Sequence, residues 1–66
     1  MYGERLRELR CEKGLTQKQL AEKLNISQKS LGKYERESLD LSTELIVRIC
    51  RYFQVSADYL LGLDDY

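Results

Sequence analysis

Four hydroxyl residues set the plan of this chain. Thr16, Ser27, Ser42 and Ser56 each stand just ahead of an amphipathic stretch. There a side-chain oxygen accepts a hydrogen bond from an N–H three residues on and opens a helix. Apolar residues flank each hydroxyl at the spacing of a hydrophobic staple: Leu15 with Leu20, Ile26 with Leu31, Leu41 with Ile46, and Val55 with Leu60. Gln19, three residues after Thr16, adds the second half of a capping box. With four such starts, no proline and no strand-like alternation, the chain reads as short helices joined by tight turns.

The first helix is expected over residues 2–13, with Tyr2, Leu6 and Leu9 on one face and Gly14 as a left-handed cap. Helix 2 covers about residues 17–24 and ends at Asn25; helix 3 covers about 28–36, and helix 4 about 43–53. A short last helix follows Ser56. Leu20, Ala21, Leu24, Leu31, Ile46, Ile49, Cys50, Phe53 and Leu60 fall at spacings that let all five helices share one core, with Cys50 acting as a small apolar residue. The expected fold class is all-α: a compact five-helix bundle forming a single domain over residues 1–66. In a sequence of sixty-six residues no separate ligand-sensing domain is expected.

Several classes of function are disfavoured. The chain has no histidine, and Cys11 and Cys50 form no C-x-x-C pair, so neither a metal site nor a disulfide framework is indicated. An enzyme is not expected, because there is no activated nucleophile arrangement, no phosphate loop and too little volume for a substrate pocket. No cofactor or small-molecule ligand is implied. Charged residues Glu4, Arg5, Arg7 and Glu8 interrupt any signal-like run, and no segment is long and apolar enough to span a bilayer. The expectation is a soluble cytoplasmic protein without membrane contact.

The formal net charge is zero, but its distribution is uneven. Residues 1–36 carry nine Lys or Arg against five acids, a balance of +4, whereas residues 37–66 carry two against six, a balance of −4. One end attracts phosphate and the other repels it. Helices 2 and 3, separated by a turn of about three residues, form the helix-turn-helix corner in which the second helix projects outward. At about 100° per residue, Gln28, Lys29, Gly32, Lys33 and Arg36 share one side of helix 3, opposite Leu31 and Tyr34. That side carries three cations, one amide and no acid. It suits the DNA major groove, where Lys donates to guanine and Gln pairs with adenine. Gly32 in mid-helix is read either as a close approach of backbone and DNA or as a tolerated neutral substitution.

The run L-T-Q-K-Q-L-A-E-K-L-N-I-S-Q-K-S-L-G-K-Y-E, from Leu15 to Glu35, resembles the phage-repressor and Cro-like family, also called the XRE family, with its lambda-repressor-like fold. The likeness continues through F-Q-V-S-A-D-Y-L-L-G at residues 53–62 and E-R-L-R-E-L-R at residues 4–10. The resemblance implies a transcriptional regulator, with repression the usual mode, acting on a roughly palindromic double-stranded operator. It implies base contacts from Gln28, Lys29 and Lys33 and a phosphate clamp at Gln17. Further backbone contacts would come from Lys18, Ser30, Arg36, Ser38, Ser42 and Thr43. An ion pair between Arg10 and Glu35 is implied as structural support. Relatives commonly have glycine at the positions of Glu37 and Gln54 and proline at that of Leu41, so a different loop path is expected, with Glu37 trimming phosphate affinity.

One helix-turn-helix monomer offers a small interface, so a homodimer on half-sites about 34 Å apart is expected. Tyr52, Tyr59, Leu61, Leu63 and Tyr66 crowd apolar surface into the C-terminal third, either as the end through which relatives often pair or with Tyr59 and Leu61 finishing the core. The competing reading is an antitoxin or other protein-interaction module that uses the same fold to hold a protein partner.

Overall fold

In the computed structural model each of the four hydroxyls opens a helix. The structure describes residues 1–63, which form α1 (Tyr2–Glu12), α2 (Gln17–Leu24), α3 (Gln28–Glu35), α4 (Thr43–Phe53) and α5 (Ala57–Leu60), with no strand among them. Thr16 Oγ1 accepts from the Gln19 N–H at 3.1 Å, while Gln19 Oε1 accepts from the Thr16 N–H at 2.9 Å. The equivalent bonds run from Ser30 N–H to Ser27 at 3.0 Å, Leu45 N–H to Ser42 at 3.1 Å and Tyr59 N–H to Ser56 at 3.0 Å. Each such cap contributes about 1 kcal/mol.

All five helices end alike. Gly14, Asn25, Glu37, Gln54 and Gly62 have positive φ, and the next residue's N–H reaches back five positions to a helix carbonyl. These bonds run from Leu15 to Arg10, Ile26 to Ala21, Ser38 to Lys33, Val55 to Cys50 and Leu63 to Asp58. The closure satisfies carbonyls that the helix leaves open. It also corrects two expected boundaries: α1 stops at Glu12 rather than residue 13, and α3 at Glu35 rather than residue 36, because Lys13 and Arg36 become the caps. Glu37 and Gln54, expected to divert the chain, take the left-handed conformation that glycine adopts most easily.

Leu6, Leu9, Leu20, Ala21, Leu24, Leu31, Leu45, Ile49 and Leu60 are buried as one core. Ile46, Cys50 and Phe53, expected inside, are only half-buried against it, and Leu45 takes the inner position instead. Helix 4 carries a wide apolar stripe, and its contacts with α2 and α5 turn the Leu45–Ile49 edge inward. Burial raises the pKa of the Cys50 thiol, and neither cysteine is bonded to the other.

Helix α1 lies across the end of α3. Gly3 makes this crossing possible: a Cβ there would strike the Glu35 carbonyl oxygen and come within 2.8 Å of Glu37 Cγ and 2.9 Å of the Tyr34 carbonyl oxygen. The Glu37 carboxylate accepts from the Gly3 N–H at 3.2 Å, engaging the start of α1. The Tyr2 hydroxyl donates to the Leu39 carbonyl at 2.8 Å. On the other side of the bundle, Arg48 donates to the Leu24 carbonyl at 2.7 Å and closes the end of α2.

Candidate nucleic-acid interface

Helices α2 and α3 pack against each other through Leu20, Ala21, Leu24 and Leu31, and the short turn between them leaves one side of α3 open. The inner edge of α3 is locked. Arg10 Nε lies 2.7 Å from Glu35 Oε2, its Nη2 donates to Oε1 at 3.2 Å, and its Nη1 donates to the Leu15 carbonyl at 2.9 Å. Glu35 Oε1 also accepts from Gln17 Nε2 at 3.1 Å. The side chains of Arg10 and Glu35 are only 13% and 5% exposed. Hydrogen bonding to Glu35 raises the Arg10 pKa, with desolvation opposing it.

The outer side of α3 differs. Gln28 and Lys29 are exposed at its first turn, Lys33 is half-buried farther along, and Arg36 is exposed at its end. Gln17, Gln28, Lys29, Gly32 and Arg36 together line an open depression of about 470 Å³. Gly32, expected to meet DNA with its own backbone, is instead buried. A Cβ placed there would lie 3.2 Å from Arg36 Nη1 and 3.7 Å from Gln17 Oε1, so those two side chains cover the glycine.

The remaining sequence-selected residues are more scattered. Lys18 is exposed in the first turn of α2, and Ser38 and Thr43 are exposed around the loop that leads to α4. Two serines are engaged in caps: Ser42 accepts from Leu45, and Ser30 gives its N–H to Ser27 and accepts from the Ser27 hydroxyl at 2.9 Å. Sequence reasoning missed the ties of Tyr2 to the loop after α3 and of Glu37 to the first turn of α1, because they join residues 34 or more positions apart.

In the C-terminal third, the Tyr59 ring lies 4.4 Å from the Arg5 guanidinium carbon and the Tyr52 ring 5.1 Å from Lys13 Nζ. Tyr52 also meets Phe53 edge-on at 5.0 Å. Both tyrosines thus pack within the fold. Leu61 and Leu63, 36% and 76% exposed, leave apolar surface open, as do Met1 and Val47. Tyr66 lies outside the described residues.

A family model described as helix-turn-helix matches residues 6–60. The HTH-type transcriptional regulator ImmR of Bacillus subtilis (strain 168) is 46% identical over 63 residues, covering 96% of this chain and 50% of the relative. Antitoxin PezA of Streptococcus pneumoniae serotype 4 is 41% identical, covering 97% of this chain and 40% of the relative. The chain therefore spans about half the length of the relatives it matches. Among solved structures, the P22 c2 repressor in complex with a synthetic operator superimposes with a TM-score of 0.88 at 28% identity, covering 97% of each chain.

Proposed function

The chain belongs to the XRE-type helix-turn-helix family, and from that premise we propose that it is a sequence-specific DNA-binding transcriptional regulator that docks α3 in the major groove. The observation that carries this reading is the division of α3 into a locked inner edge and an acid-free outer side, with Gln28, Lys29 and Arg36 bordering one depression. Amide and ammonium donors at the first turn of an outward helix suit base edges, and Gln28 and Lys29 take that role with Lys33 on the flank. Gln17, Lys18, Ser30, Ser38, Ser42 and Thr43 surround them as contacts to phosphates, through side chains or free backbone N–H groups.

The reading extends to a homodimer acting as a repressor in the cytoplasm on a roughly palindromic operator. It is supported by the small interface of a single module and by the exposed Leu61 and Leu63. No helix among the described residues is long and apolar enough to cross a membrane. A second reading, an antitoxin-like module that holds a protein partner, draws support from the likeness to PezA.

A mobility-shift titration of the purified chain decides between them. The regulator reading expects duplexes enriched from a random pool to shift with the protein alone, with amide resonances of residues 28–36 moving as DNA is added. Failure of any enriched duplex to shift, or movement confined to the C-terminal third, leaves the partner-binding reading in its place.

A further inference from the structure

Arg36 is the residue that caps the end of α3, and its sequence position alone would put it beside the phosphates of the following loop. Its side chain runs the other way. A helical side chain leans toward the N-terminus, onto the residue four positions back, and for Arg36 that residue is Gly32. Arg36 Nη1 lies 3.2 Å from the point where a Cβ of residue 32 would stand, so the guanidinium occupies the space that the missing side chain leaves.

That space is central to the exposed side of α3. At about 100° per residue, position 32 points between the directions of Gln28 and Lys29, the two residues at the front of the helix. All three border the depression into which Arg36 extends. Among the described residues the guanidinium makes no hydrogen bond or ion pair, so its donors remain available. Phosphates flank a groove and base edges form its floor, and the middle of a docked helix faces the floor.

We propose that Arg36 is a specificity-determining residue that reads a guanine through O6 and N7, and that Gly32 is the positioning residue that lets it reach. This rests on the major-groove reading of α3. The planar Arg fork matches the two acceptors of guanine, and a mid-helix glycine otherwise weakens α3 with no return.

The test is selection from a random duplex pool by the wild-type chain, Arg36→Ala and Gly32→Leu, with folding of each followed by thermal melting. The expected wild-type site contains a fixed guanine preferred about tenfold or more over other bases, the discrimination a bidentate pair supplies. Arg36→Ala then loses that guanine alone and keeps the rest of the site. Gly32→Leu, which fills the seat, melts no lower than the wild type yet loses the same guanine. If Arg36→Ala weakens all sequences equally, the residue is a phosphate contact and the inference is overturned while the DNA-binding reading stands. A wild-type site without any fixed guanine has the same meaning. If the wild-type chain selects no duplex, both fall together.

Discussion

The two edges of α3 face opposite demands. Along the inner edge, Glu35 holds Arg10 and Gln17 at once, and nearly all of its surface is covered. Along the outer side, Gln28, Lys29 and Arg36 form no bond or ion pair through their side chains among the described residues. A charge removed from water needs partners in the fold, whereas a charge kept in water is free to exchange its hydration for DNA. The helix and its cap residue thus divide their work by the direction in which each side chain leaves the helix. The contrast teaches that charge on this helix has to be assigned edge by edge before it is read as affinity.

The sharpest way to break the comparison is to cut the inner edge. Glu35→Ala should cost about 3 kcal/mol of folding stability, because it leaves the Arg10 guanidinium partly buried without its carboxylate. Urea denaturation measures this, and a loss below about 0.5 kcal/mol would mean that the clasp is as weak as a surface pair. Operator affinity of the folded fraction should change little.

The outer side should respond in the opposite sense. Gln28→Ala or Lys33→Ala is expected to leave the denaturation midpoint nearly unchanged while costing about 1–3 kcal/mol of affinity on the preferred site. Fluorescence anisotropy on the preferred and on unrelated duplexes checks this. A uniform loss across sequences would move either residue from the base-reading group to the phosphate-contact group.

Gln17 tests the boundary itself, since its amide bonds Glu35 and also borders the depression. Gln17→Ala should cost about 1 kcal/mol in stability and a similar amount in binding to every sequence. Because the side chain is neutral, the dependence of log K on log salt should keep its slope. A steeper or flatter slope would show that the substitution disturbs the cations nearby.

The smallest effect separates two residues that share one backbone conformation. Gln54 and Glu37 both have φ near 60°, but the Glu37 carboxylate holds the Gly3 N–H. Gln54→Gly should therefore raise stability by about 0.5–1 kcal/mol, and Glu37→Gly by less, since it relieves the same conformation but removes a bond. Thermal melting of the two variants would refute this if the order were reversed.

What the sequence revealed follows the range of each interaction. Helix starts were legible at Thr16, Ser27, Ser42 and Ser56 because a cap joins residues only three positions apart. The inward rotation of α4 was not, since Leu45 and Ile46 are both apolar and packing against α2 and α5 chooses between them. The depression on α3 was legible as a set of polar residues on one side. The seat of Arg36 over Gly32 was not, because a helical wheel gives directions without the reach of a long side chain. Similarly, Tyr52 and Tyr59 looked like spare surface until Lys13 and Arg5 were found over their rings.

The repeated closures at the helix ends bear on how quickly the chain acquires its shape. Each start bond and each end bond is made between near neighbours, so the instructions for all five segments are already within reach in the denatured ensemble. The clasp from α1 to α3, the bonds of Gln17 to Glu35 and of Arg48 to Leu24, and the two ties at the first turn of α1 must wait for distant parts to meet. A topology so dominated by short loops belongs with rapid folders, on a timescale of roughly microseconds to milliseconds. Stopped-flow refolding should accordingly end within the instrument dead time, or nearly so.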